Sequence, residues 1–167
     1  MIAKLSSLQH INGNRYRESS GMYFDDFKVG DIIEHRPGRT ITETDNTWMT
    51  LLSMNKHPIH FDKVYAAETE FRQILVNSVV TFSIINGMTV DILSAKAIAN
   101  LGWDNVKLPN PVFVGDTLYA ESEILSVRSS KSRPTQGVIK IKTTGVKHDG
   151  LIVLTCERHF LVPKKTI

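Results

Sequence analysis

The hydrophobic positions of this chain follow two different periods. Between Leu75 and Leu93, the residues Val76, Val79, Val80, Phe82, Ile84, Ile85, Met88, Val90 and Ile92 put apolar side chains on nearly every face of a helix. The run is too long for an ordinary strand, and a helix apolar all round must be buried all round. It is predicted to be a central helix. From Val106 onward the period becomes two. Leu118, Ala120 and Ser122 alternate with Tyr119, Glu121 and Glu123, and Ile139 and Ile141 alternate with Lys140 and Lys142. These runs predict strands over Thr117 to Val127 and Val138 to Val146, then a hairpin turn at Asp149-Gly150 and a last strand over Leu151 to Val162.

Upstream of the helix the pattern is less regular. Tyr23 to Val29 leads into a Gly30-Asp31 turn, and Ile32 to Thr42 reads as a strand. Pro37 makes that strand an edge strand or a bulged one. Thr42 or Thr44 caps a short helix carrying Trp48, Leu51 and Leu52 on one face, and Pro58 closes the unit. Asp62 to Phe71 is a second short helical candidate. A helix-rich half followed by long antiparallel strands predicts an α+β domain, with a sheet wrapped around the central helix.

Composition narrows the function. The 167 residues, 41% hydrophobic and 22% charged, suffice for one domain with a real core. A net charge of +3 and no basic block interleaved with aromatics argue against nucleic acid as partner. No apolar stretch is long enough to span a membrane as a helix. Residues 21–167 are expected to form the domain. Residues 1–20 are expected to be a tail: Met1 to Arg17 holds Lys4, Arg15 and Arg17 with no acidic residue, which reads as a disordered segment or the remnant of a mitochondrial targeting peptide. A cytoplasmic or mitochondrial matrix location follows. The single cysteine, Cys156, lies in an apolar run and is a poor nucleophile candidate.

The chemistry concentrates in Leu52-Ser53-Met54-Asn55-Lys56-His57-Pro58-Ile59-His60-Phe61-Asp62. A proline-stiffened turn can hold His60 in one orientation, as a general acid or base requires. His57 and His60 are three apart, so a metal set with Asp62 is conceivable, but no fourth ligand is evident.

Three motifs in order carry a family resemblance. They are this turn, the segment Phe71-Arg72-Gln73-Ile74-Leu75-Val76-Asn77-Ser78, and the segment Leu108-Pro109-Asn110-Pro111-Val112-Phe113-Val114-Gly115-Asp116-Thr117-Leu118. The chain resembles the MaoC-like hydratases and dehydratases of the hotdog fold over roughly Tyr23 to Pro163. It is most similar to the branch that includes β-methylmalyl-CoA dehydratase (mesaconyl-CoA hydratase).

The resemblance implies an acyl-CoA substrate, no metal or redox cofactor, and a homodimer or larger assembly with the site at the subunit interface. It implies reversible addition of water to a 2-enoyl-CoA, with His60 as acid or base. The family's aspartate falls on Asn55, which can orient water but cannot ionise; Asp62 or Asp45 would then be the nearest carboxylates. Backbone N–H groups near Asn77, Ser78 and Val79, at the start of the central helix, would bind the thioester oxygen. Asn86 falls near an assisting serine of some hydratases, with a satisfied buried amide as the alternative. His57 either touches substrate or holds the turn. Arg128, Lys131 and Arg133 either meet CoA phosphates or form a solvated strand end. A non-catalytic acyl-CoA-binding protein and a thioesterase are the competing readings of the same architecture.

Overall fold

The computed structural model describes residues 8–165. A two-stranded hairpin, β1 (Leu8–Asn12) and β2 (Arg15–Glu18), comes first. All its strand residues are exposed, so the expected tail is a formed hairpin from residue 8 onward, while residues 1–7 lie outside the described part. Strand β3 (Ile32–Thr40) and helices α1 (Glu43–Leu52), α2 (Lys63–Ala67) and α3 (Ser78–Met88) follow, then β4 (Ala99–Lys107), β5 (Thr117–Ser129), β6 (Gln136–Lys147) and β7 (Ile152–Pro163). The five long strands form one antiparallel sheet in the order β3-β5-β6-β7-β4.

Strand alternation is borne out. Leu118, Ala120, Ser122 and Ile124 are buried on the face toward α3, as are Ile139, Ile141 and Thr143 on β6. Gly145 lets α3 approach the sheet closely, since a Cβ there would strike the Ile85 side chain. Gly150, with φ of 87°, closes the β6–β7 hairpin. Strand β3 is an edge strand whose register shifts between His35 and Arg39, around Pro37.

Four expectations change. The central helix is shorter than Leu75 to Leu93. Leu75 and Val76 are extended, because the Val76 N–H donates to the Val112 carbonyl at 2.9 Å and Leu75 bridges Phe113. The helix begins after Asn77 and passes into a short π-helical turn over Val90–Ser94. Helix α1 buries the opposite side from the one expected. Trp48, Leu51 and Leu52 are 67%, 54% and 74% exposed, whereas Asn46 and Thr50 are fully buried. Finally, α1 ends at Leu52 rather than at the proline. Pro58 instead starts a 3₁₀ turn, Pro58–His60, where its missing N–H costs nothing. The second helical candidate shrinks to α2, with Asp62 as its cap. Among the described residues no helix is long and apolar enough to cross a membrane.

The core has two apolar clusters, one under α3 around Val80, Ile85 and Leu118, the other around Ile139, Ile141 and Phe160. A polar belt separates them. His35 Nε2 lies 3.0 Å from Ser122 Oγ, which lies 2.9 Å from Thr143 Oγ1. Burial, with Arg158 and Arg36 adding repulsion, pushes the His35 imidazole down to about 4, so it is buried neutral. Between the ordinary histidine value and that lowered one, the unfolded chain binds the proton and the folded chain does not. Stability therefore falls as pH drops through this window. Thermal melts from neutral pH down to about pH 4.5 should show a falling midpoint, with a shallower fall in His35→Gln. Equal slopes would remove His35 as the cause.

Candidate active site

The His57-Pro58-Ile59-His60 turn is built from its own caps. His57 Nδ1 accepts the Ile59 N–H at 3.2 Å, and Asn55 Oδ1 accepts the His57 N–H at 3.0 Å. Both side chains thus hold the turn. His60, half-buried, points its Nδ1 at the Leu75 carbonyl at 2.9 Å. A carbonyl only accepts, so Nδ1 carries a proton, and in the neutral ring the lone pair is then on Nε2. The ring is thereby held in one orientation, with Nε2 unpartnered among the described residues.

The two carboxylates considered as helpers are occupied. Asp62 Oδ1 caps α2, accepting the Val64 and Tyr65 N–H groups at 2.9 and 3.0 Å. Asp45 closes the capping box of α1 with Thr42 and meets Arg39 Nη2 at 2.6 Å. Burial pushes the Asp45 carboxyl up, but the Thr42 bonds and Arg39 together outweigh it and hold the group below the usual range. No group of three or more His, Cys, Asp or Glu among the described residues is arranged to hold a metal ion. His57 Nδ1, His60 Nδ1 and Asp62 Oδ1 are each bonded to backbone groups.

A cleft of about 250 Å³ is lined by residues of the other two motifs; Asn55, His57 and His60 do not line it, and His60 is joined to it through the Leu75 carbonyl. Leu75, Ser78 and Thr81 line it from the start of α3, and Leu108, Asn110 and Val112 from the loop opposite. Two of the three sequence motifs thus wall one cleft, and the third is fastened to it through Leu75. The cleft is smaller than the roughly 300–1,000 Å³ of typical ligand pockets.

The start of α3 is more selective than expected. Asn77 is buried and caps the helix, its Oδ1 accepting the Val79 N–H at 3.0 Å and its Nδ2 donating to Thr50 Oγ1 at 3.2 Å. The Val79 amide is therefore already used. The Ser78 N–H, at the first helical position, has no partner among the described residues, and Ser78 lines the cleft.

Other candidates lie elsewhere. Asn86 Oδ1 accepts from the buried Arg158 Nη1 at 2.9 Å and from Trp103 Nε1 at 3.4 Å. Its oxygen is thus engaged in the half-buried helix, two helical turns from Ser78, or about 12 Å. Arg128, Lys131 and Arg133 sit at the far end of β5 and in the turn after it. Thr117 starts β5 just after Phe113, which bridges Leu75, the residue bonded to His60 and lining the cleft. Arg128 is about 36 Å from Thr117 along the strand, so these cations cannot reach the same chain's cleft. Cys156 is buried, and burial pushes its thiol up against the opposing effects of Arg158 and a Thr143 backbone bond.

Sequence reasoning missed Asn46. Its Nδ2 donates to the His60 carbonyl at 2.8 Å and to the Leu75 carbonyl at 3.3 Å, while its Oδ1 accepts the Asn77 N–H at 2.9 Å. The available signal was the pairing of Asn46 and Thr50 four apart on α1, masked by the apolar residues around them.

The profile described as the MaoC like domain matches residues 26–147. The chain is 32% identical over 149 residues to the β-methylmalyl-CoA dehydratase of Chloroflexus aurantiacus, covering 89% of this chain and 42% of that one. It is 29% identical over 149 residues to the mesaconyl-CoA hydratase of Cereibacter sphaeroides, covering 89% and 43%. A Mycobacterium tuberculosis protein whose solved structure has a double hotdog fold matches with a TM-score of 0.79 at 23% identity, over 87% of this chain and 45% of that one. The chain spans less than half the length of these relatives. The fold is the hotdog fold expected from the sequence.

Replacing Asn77 by Ala should cost about 1–3 kcal/mol of stability in urea unfolding, because a cap is lost and Thr50 is left unpaired. A loss below about 0.5 kcal/mol would contradict the capping role.

Proposed function

Since this chain belongs to the MaoC-like domain family, we propose that it is a hydro-lyase that adds water to a 2-enoyl-CoA and removes it from a 3-hydroxyacyl-CoA. The observation that carries the reading is the His60 imidazole, whose Nδ1 is tied to the carbonyl of Leu75, a residue that lines the cleft, leaving Nε2 without a partner among the described residues. The relatives' names supply the substrate class; the chemistry comes from this chain's residues.

In hydration, Nε2 of His60 takes a proton from water as the water oxygen attacks the β carbon. The C=C electrons move toward the thioester carbonyl, whose oxygen becomes enolate-like. The Ser78 N–H, at the positive end of the α3 dipole, stabilises that oxygen. The imidazolium then returns its proton to the α carbon, so one group serves as base and acid. Asn55 orients the water through its amide. The reaction needs no metal or redox cofactor.

A second copy of the chain completes the site. Among the described residues strand β4 is a sheet edge with no strand on its outer side, carrying Leu101, Trp103 and Val106 at 54%, 40% and 44% exposure, a surface suited to pairing with a second copy. The one-chain cleft is also too small for an acyl thioester. Arg128, Lys131 and Arg133, out of reach within the chain, are available to a partner's CoA phosphates. Light scattering should give a homodimer or a larger even-numbered assembly, and Leu101→Lys should shift it toward monomer.

The test is loss of enoyl absorbance from crotonyl-CoA and mesaconyl-CoA with purified protein. Hydration without free thiol is expected, falling about 100- to 10,000-fold in His60→Ala. Wild-type turnover in that variant would remove His60 from the mechanism. Saturable binding without turnover would instead favour the non-catalytic reading that Asn55 suggests, and thiol release the thioesterase. Asn55→Asp keeps an acceptor for the His57 N–H and should raise the rate.

A further inference from the structure

We infer that Asn46 is a positioning residue that sets the distance between the basic nitrogen of His60 and the free Ser78 N–H. The inference rests on the hydratase reading but is carried by different atoms. The Leu75 carbonyl that fixes the His60 tautomer is itself held by Asn46 Nδ2, which also holds the backbone carbonyl of His60. The same side chain's Oδ1 takes the N–H of Asn77, the residue immediately before Ser78. One planar amide therefore grips three points: the histidine, the carbonyl that orients it, and the cap of α3.

Asn46 suits this task on three physical grounds. It is fully buried, so its bonds are not exchanged with water. It offers two donors and an acceptor in one rigid plane, and the three contacts use both ends. It lies on α1, which is anchored by its own capping box, so the reference point is a helix rather than a loop. If the amide is removed, the Leu75 carbonyl and the α3 cap lose their common fixture. The imidazole can then exchange tautomers, and Nε2 can drift relative to the Ser78 N–H. A displacement of about 1 Å at a reacting centre costs up to about 100-fold in rate.

A buried asparagine could also serve stability alone, and Thr50 supplies the control. Thr50 lies one turn further along the same buried face, and its Oγ1 accepts from Asn77 Nδ2 without touching His60 or Leu75. The experiment compares wild type, Asn46→Ala, Asn46→Asp and Thr50→Val by ¹⁵N NMR of the His60 ring and by steady-state hydration of crotonyl-CoA. In wild type the ring should be Nδ1-protonated. Asn46→Ala should lose that single tautomer, and kcat should fall about 10- to 100-fold with KM within about twofold.

Asn46→Asp keeps the acceptor for the Asn77 N–H but sets a carboxylate near the imidazole. The charge favours imidazolium, so the acid limb of kcat/KM should move to higher pH. Thr50→Val should lower the melting temperature while leaving the His60 tautomer intact. The inference is overturned if Asn46→Ala keeps the wild-type tautomer and kcat, or if Thr50→Val disturbs the tautomer as much as Asn46→Ala does. Should Asn46→Ala fail to fold, Asn46→Asp decides: an unchanged tautomer and acid limb overturn the inference. A wild type that hydrates no enoyl thioester would defeat the hydratase reading while the NMR comparison still judged Asn46.

Discussion

The hydrogen bond from His60 Nδ1 to the Leu75 carbonyl is the constraint around which the site is arranged. It joins a short 3₁₀ turn to an extended segment that would otherwise be two separate loops. The Leu75 N–H donates back to the Ile59 carbonyl at 3.1 Å, so the two segments are tied in both directions. Leu75 and Val76 in turn pair with Phe113 and Val112 in the loop before β5. A chain of main-chain bonds thus runs from the imidazole to the sheet. Backbone carbonyls neither titrate nor rotate freely, so the ring's tautomer does not depend on a neighbouring charge.

That choice explains how the carboxylates near the turn are used. Asp45 and Asp62 are spent on helix starts, where an ionised acceptor satisfies orphan N–H groups and opposes the dipole. Both helices are short, and α2 has only five residues, so capping contributes much of their local stability. With these acids committed and Asn55 in place of an ionisable group, the proposed reaction rests on His60 as its acid–base group. In the proposed reaction its effectiveness depends on placement, and Asn46 is the side chain bonded to both the His60 and the Leu75 carbonyls.

Much of this was legible in the sequence, and the failures share a physical cause. Strands β5, β6 and β7 were plain because each has one face on the core, which enforces alternation. Strand β4 was not, because it is an edge whose register shifts near Gly102 and between Asp104 and Lys107, with Asn105 at φ of 52°. The start of α3 was misplaced because Leu75 and Val76 are apolar yet extended, and only a long-range pairing with Val112 and Phe113 reveals it. Helix α1 was turned the wrong way by assuming that apolar residues face inward. Its buried side contacts loop carbonyls, so it carries Asn46 and Thr50, and Trp48, Leu51 and Leu52 remain outside. The His57-Pro58-Ile59-His60 turn was singled out by motif, but what holds it in place was not, since the residues that clamp it lie far apart in sequence.

The most direct test is a crystal structure of the protein with a 3-hydroxyacyl thioester bound. The account predicts His60 Nε2 within hydrogen-bond distance of the β-hydroxyl, Nδ1 still on the Leu75 carbonyl, and the thioester oxygen on the Ser78 N–H. An acyl group lying away from this turn, or a ring flipped to present Nδ1 to the ligand, would contradict it.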